Sequence, residues 1–192
     1  MINSSFLTFA FGIQGYISTS YRYKDSKLVL NIQKRDDKLC CPACKSRNVI
    51  KNGVTYRDFK TVPIGHRPVL LHTKIHRLRC KDCGCDRNGH VYFAHGKRTY
   101  TSRLKNMVMD MLDITTVKGT AEFLHLTWDT VKDIHKRRRS RRYANPDISG
   151  VRNIGIDEFA VRKGTVYKTI VVDLDTGRII HVGDGRGKDV LK

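Results

Sequence analysis

The chain has 192 residues, 40% of them hydrophobic, and carries 37 Lys plus Arg against 18 Asp plus Glu, for a formal charge of +19 and a pI near 10.0. Such a length supports one or two modest cores rather than a single large one, and a charge well beyond what solubility needs predicts a polyanionic partner. The apolar patch Phe6–Ile13 falls far short of the ~20 residues that cross a bilayer. No basic residue precedes it and no clean cleavage site follows, so the expectation is a cytoplasmic protein with no membrane partner.

In chain order, residues 16–32 read as two strands around a polar turn, with Tyr16, Ile17, Tyr21 and Tyr23 before it and Leu28, Val29, Leu30 and Ile32 after it. Two close cysteine pairs follow, Cys41-Pro-Ala-Cys44 and Cys80-Lys-Asp-Cys83-Gly84. A thiolate pair separated by two residues wraps one face of a zinc ion, and a second pair supplies the opposite face. Gly84 permits the tight turn after the second ligand. Cys41, Cys44, Cys80 and Cys83 are therefore the expected ligands of a structural Zn²⁺; Cys40 adjoins the first pair, and Cys85 is the alternative to Cys83 as fourth ligand. Disulfides, or simply buried reduced thiols, are the competing reading, weakened because the chain is not a short cysteine-dense scaffold and shows no secretory leader.

Between the pairs, Asn52-Gly53 predicts a hairpin turn, and Val69, Leu71, Thr73 and Ile75 alternate with Leu70, His72, Lys74 and His76 as in a strand. Residues 1–95 thus read as N-terminal strands plus a zinc ribbon. Its cations, Lys51, Arg57, Lys60, Arg67, Lys74, Arg77 and Arg79, suffice to meet phosphates without specifying bases, or simply to solvate the sheet.

The periodicity then turns helical. Leu104, Val108, Met111 and Leu112 follow the N-cap candidates Thr101 and Ser102, and Val117–Leu124 forms a short helix with Ala121 and Leu124 inward. His125-Leu126 turns the chain to a new N-cap at Thr127, from which a third helix runs with Trp128, Val131 and Ile134 on one face. Residues 96–145 read as a helix-turn-helix, which sets the N-terminal part of its second helix in the major groove. Thr127, Asp129, Thr130, Lys132 and Asp133 would then face double-stranded DNA, and the basic run Lys136, Arg137, Arg138, Arg139, Arg141 and Arg142 would hold the backbone. A three-helix bundle with a solvated basic end is the plainer alternative.

Asn145-Pro146 and Ser149-Gly150 mark a linker. Beyond it, residues 151–192 predict an antiparallel meander: Ile154–Val161, a turn at Lys163-Gly164, Val166–Leu174, a turn at Asp175-Thr-Gly177, and Arg178–Val182. Asp157 stands mid-strand between Ile156 and Phe159, where a buried carboxylate would need a metal or a cation. Glu158 points to the other face of that strand and suits a salt bridge, while Asp173 and Asp175 suit turn chemistry.

This order of parts resembles the ISL-three family of bacterial insertion-sequence transposases. The resemblance is carried by Cys41-Pro-Ala-Cys44, Arg77-Leu-Arg-Cys80, Leu126-Thr-Trp-Asp-Thr-Val131, Tyr167–Asp175, Gly185-Arg-Gly-Lys188 and, most specifically, Ile154-Gly-Ile-Asp-Glu-Phe-Ala-Val-Arg-Lys-Gly164. It implies an α+β, multi-module chain: a zinc ribbon, a helix-turn-helix, and three antiparallel strands that begin a ribonuclease-H-like DDE domain and leave it incomplete. It also implies two-metal phosphoryl transfer, with Asp157 as the first catalytic carboxylate and Mg²⁺ held only by a complete catalytic domain. The sequence ends before the second Asp and the Glu of that pattern, so the expectation is a chain that binds zinc and the terminal repeats of its element but does not cut or join DNA alone. A homodimer is compatible with this reading. The meander is expected to expose a strand edge and an apolar face. A stand-alone regulator or repressor built from zinc ribbon and helix-turn-helix is the alternative, though it leaves residues 151–192 without a role; an RNA-binding ribbon leaves the Trp128 region without one.

Overall fold

The computed structural model describes residues 4–162, 164 and 166–191. The chain divides into two compact units, Met1–Lys136 and Arg137–Lys192.

The first unit is built on a mixed five-stranded sheet. Strands β1 (Tyr16–Lys24) and β2 (Lys27–Lys34) form the expected hairpin, its turn made by Asp25 and Ser26 at positive φ. The long strands β3 (Val49–Ile64) and β4 (Arg67–Cys80) pair antiparallel. β2 joins the other edge of β4 in parallel, and the short β5 (Asp86–Asn88) pairs with Arg77–Arg79 further along β4. The order is β1-β2-β4-β3. β4 alternates as its pattern predicts: Val69, Leu71, Thr73 and Ile75 are buried on one face. On the opposite face His76, Leu78 and Cys80 are buried.

The hairpin turn is not at Asn52-Gly53. Those two residues lie inside β3 as a bulge opposite His76–Leu78, with Gly53 at φ +114, and the chain reverses instead at Gly65-His66, between the paired Ile64 and Arg67. The dipeptide has the conformational freedom a turn requires, but the Asn52 side chain donates to Asp86 at 2.8 Å and holds the bulge against β5. Pro63 sits at a second bulge, where its missing N–H breaks no ladder.

The apolar N-terminal patch forms helix α1 (Ser4–Phe11), whose Leu7 and Phe11, with Ile13 beyond it, pack onto Leu30, Ile32, Phe59 and Leu71. Three further helices follow: α2 (Ser102–Leu112), α3 (Val117–Phe123) and α4 (Trp128–Arg142). Their core holds Leu104, Val108, Met109, Ala121, Leu124, Val131 and Ile134. Trp128 does not join it: its side chain is 48% exposed, because α4 turns Val131 and Ile134 inward and leaves Trp128 on the flank.

This helical cluster is fastened to β3. Lys60 donates to Thr99 and accepts from Thr101 through the backbone, and the buried hydroxyls of Thr61 and Thr101 meet at 3.1 Å. Thr101 is also the N-cap of α2, accepting from the Leu104 N–H. Val62 packs against both cores.

The second unit contains the end of α4 and a meander of β6 (Ile154–Arg162), β7 (Val166–Asp173) and β8 (Arg178–Asp184), ordered β6-β7-β8. The turn at Asp175-Thr-Gly177 is where the sequence puts it, with Gly177 at φ +70; of the turn expected at Lys163-Gly164, Lys163 lies outside the described residues. Ile154, Ile156, Phe159, Val161, Ile179 and Val182 are exposed, the apolar strand surface that the sequence predicts.

Replacing Thr101 with Ala removes both the α2 cap and the partner of the buried Thr61 hydroxyl. The expected cost is about 2 kcal/mol. Urea denaturation followed through Trp128, the single tryptophan, would measure it.

Candidate metal centre and nucleic-acid interface

Two chain reversals bring the four cysteines together. In the first, the Cys41 N–H donates to Ser46 and the Lys45 N–H to the Cys41 carbonyl. In the second, the Cys80 N–H donates to the Cys85 carbonyl at 2.8 Å. The residue after the second cysteine of each pair has a left-handed backbone, Lys45 at φ +65 and Gly84 at φ +69. The turns are therefore equivalent, although only one carries the glycine that sequence reasoning can detect.

The Sγ atoms of Cys41, Cys44, Cys80 and Cys83 all lie within 4.8 Å of one another, with Cys41–Cys83 and Cys44–Cys80 at 3.6 Å. Tetrahedral zinc with bonds of ~2.3 Å spaces its sulfurs by about 3.8 Å, so the four thiols fit that ion. Among the described residues this is the one cluster of potential metal ligands, and neither Cys40 nor Cys85 belongs to it. Cys85 instead supplies the carbonyl that closes its turn.

The cage treats its protons unequally. The Cys44 N–H, then that of Ala43 at 3.4 Å, favour the thiolate of Cys41 and bring its pKa down to about 6. Cys44 receives the Ser46 N–H, which favours its thiolate, but contacts with the Cys83, Cys80 and Cys41 sulfurs outweigh this and push it up to about 12. Zinc must displace those protons to bind.

A second layer ties the two turns together. Asp82, within the second pair, accepts from the Ser46 hydroxyl and from Asn48 at 2.7 Å, contacts that hold its carboxyl below the usual range. Lys81 adds a backbone bond to Asn48 at 2.9 Å. Asp82 went unnoticed in the sequence, where an acidic residue between two cysteines has no distinguishing pattern.

The ribbon cations divide in two. Lys51 pairs with Asp36 at 2.7 Å, Arg77 and Arg79 pair with Asp86, and Arg57 donates to the Gly96 and Arg98 carbonyls. Lys60, Arg67 and Lys74 are in no ion pair among the described residues.

At α4, Thr127 caps the helix, accepting the Thr130 N–H at 3.3 Å while its hydroxyl meets that of Thr130 at 2.8 Å. These two hydroxyls are thus committed first to the helix end. Trp128, Lys132 and Lys136 follow at i, i+4 and i+8 along an exposed face. The Lys132 ammonium lies 4.4 Å from the Trp128 ring centre. The turn from α3 into α4 uses His125 at φ +52, and its imidazole contacts the His66 carbonyl at 3.2 Å, where β3 meets β4. Arg137, Arg138 and Arg139 continue α4 as exposed residues at the start of the second unit.

In the meander, Asp157 is exposed on β6, an edge strand of the three described. Its Oδ1 accepts the Glu158 N–H at 2.8 Å. Glu158 accepts the Gly187 N–H at 3.2 Å. Asp173 is buried and binds its own turn, accepting from Thr176 and from the Asp175 N–H; these bonds, Thr176 first, hold its carboxyl below the usual range.

Residues 37–83 match the family described as the zinc-finger of transposase IS204/IS1001/IS1096/IS1165, and residues 154–192 match the ISL-three family described as transposase. The transposase for insertion sequence element IS1001 of Bordetella parapertussis is 30% identical over 154 residues, 80% of this chain. The chain belongs to the ISL-three transposase family. It spans 38% of that relative's length. Transposases for insertion sequence element IS1557 from two strains of Mycobacterium tuberculosis are 27% identical over 145 residues, 72% of this chain and 31% of theirs. No solved structure matches the chain. The zinc-finger match covers the cage described above, so the ISL-three chain has four cysteines positioned to bind zinc. No described helix is long and apolar enough to cross a membrane.

One zinc per chain is expected to be released by a chromogenic thiol reagent, with Cys44→Ala abolishing it and Cys85→Ala retaining it. Because the bound form requires thiolates, apparent zinc affinity should fall steadily as pH is lowered. The two turns make a separate prediction. Nothing lies within 4 Å of a Cβ built on Gly84, so Gly84→Ala should cost only the left-handed backbone term, roughly 1–2 kcal/mol. Lys45→Ala, already left-handed at φ +65, should change stability by less than about 0.5 kcal/mol in the same melts.

Proposed function

We propose that this chain is the DNA-recognition part and the first catalytic strands of an insertion-sequence transposase that binds the terminal repeats of its element. The observation that carries the reading is the exposed face of α4: Trp128, Lys132 and Lys136 stand outward on a helix whose Val131 and Ile134 are locked inward. In this reading α3, the His125 turn and α4 act as a helix-turn-helix within residues 96–145, with α4 in the major groove. Lys132, Lys136 and Arg139 meet phosphates, together with Arg137 and Arg138, and Thr127 and Thr130 lie at the groove end of the helix. The zinc ribbon, with its unpaired Lys60, Arg67 and Lys74, adds sequence-independent grip.

Residues 151–192 begin the catalytic domain, of ribonuclease-H-like form. Asp157, exposed on β6, would be the first carboxylate of a two-Mg²⁺ site. When bound, such ions activate the attacking oxygen and stabilise the leaving one. The residues here supply one ligand to that site, and strand cutting and joining are assigned to the full-length transposase. The matches to family transposases favour this over a stand-alone regulator because they include residues 154–192.

Fluorescence anisotropy with a duplex carrying the element's terminal repeat tests the DNA reading. Duplex binding should weaken with salt, and the Lys132→Ala, Lys136→Ala double variant should reduce the slope of log K against log salt by about 2. A chain that binds neither the repeat nor a scrambled duplex, or a double variant with unaltered slope, would overturn the assignment to α4.

A further inference from the structure

The five-stranded sheet has two faces with different fates. One packs against α1 and against Val91, Phe93 and Ala94. The other presents side chains in rows fixed by the ladder. Arg22, Val29, Leu70 and Lys60 form one row; Ser20, Asn31, His72 and Asp58 form the next; Gln33, Lys74 and Tyr56 form a third. The middle row is internally ordered, Asn31 donating to the Ser20 hydroxyl at 2.7 Å and the His72 imidazole meeting Asp58 at 2.6 Å.

Tyr56 lies flat on His72, with ring centres 5.1 Å apart and planes 9° from parallel. Its side chain is nevertheless 57% exposed, so the ring turned from His72 is open. A groove of about 430 Å³ runs beside it, lined by Ser20, Asn31, Gln33, Tyr56, His72 and Lys74. That volume falls within the ~300–1,000 Å³ of small-molecule sites. Arg22, Lys60 and Lys74 are in no ion pair among the described residues, while Asp58 is held by His72 and Asp36, which also feels His76 and Lys74, is held by Lys51.

An open aromatic ring fixed from behind, a polar groove beside it, Lys74 in its own row and Arg22 and Lys60 two rows away are the elements of a single-strand platform, in which bases stack and the backbone tracks positive charge. We propose that this face binds single-stranded DNA, seating one unpaired base on Tyr56, with Lys74, its partner in the ladder, at an adjoining phosphate and the strand continuing along the groove past His72. This site is separate from α4, and rests on the DNA-binding reading only for its choice of DNA over other polyanions.

The test uses the whole chain with a fluorescent 12-mer of thymidylate (about 12 nucleotides, within the span such folds bind) and a duplex of the same length. Tyr56→Ala should weaken the single strand about tenfold or more and leave the duplex unchanged, with Tyr56→Phe restoring binding. Lys74→Ala should lower the single-strand salt slope by about 0.7. Equal binding of the single strand by wild type and Tyr56→Ala, or equal loss on the duplex, would overturn the proposal. So would a uridylate 12-mer that binds at least as tightly with the same Tyr56 dependence, which would assign the face to RNA. The Lys132→Ala, Lys136→Ala variant separates the two readings: it should lose duplex affinity and keep the single strand.

Discussion

Strand β4 bonds to β3 along one edge and to β2 and then β5 along the other, and a slip of one residue in those ladders would turn Leu71 and Ile75 to solvent and carry Cys80 away from its three partners. Register in this sheet is therefore also metal geometry. Val49 pairs with Cys80, so the strand that leaves the first cysteine pair is bonded directly to the strand that delivers the second. The apolar residues on one face of β4 fix that register, and a cage formed at its end reinforces it. Folding of the ribbon and assembly of the ligand set are the same event, as in other small zinc modules.

Cation placement divides the charge into structural and available parts. Asp86 alone occupies Arg77 and Arg79, and Asp36 takes Lys51. Lys60 and Lys74 on the sheet, and Lys132 and Lys136 on α4, stand outside those pairs.

Much of this was legible in the sequence because it obeys short-range rules. The two-residue spacing of Cys41–Cys44 and Cys80–Cys83, the alternation through Val69–Ile75 and the caps at Thr101 and Thr127 each announce local geometry. The failures arose where long-range partners decide. Asn52-Gly53 has turn chemistry, yet Asp86 fixes it as a bulge. Trp128 looks like core because it is large and apolar, yet helical phase places Val131 and Ile134 inward. The left-handed Lys45 and the Asp82 link carry no sequence signal, since neither residue type advertises its backbone or its partner.

The β3–β4 hairpin acts as a ruler. Its cage lies at Cys80, and its fastening to α2 lies at Thr61, the partner of Val69. At ~3.3 Å per residue the intervening strand sets the two on the order of 35 Å apart. A slip of one residue would change that interval by a single rise and turn the pleat over, so the spacing and the buried face are set by the same ladder.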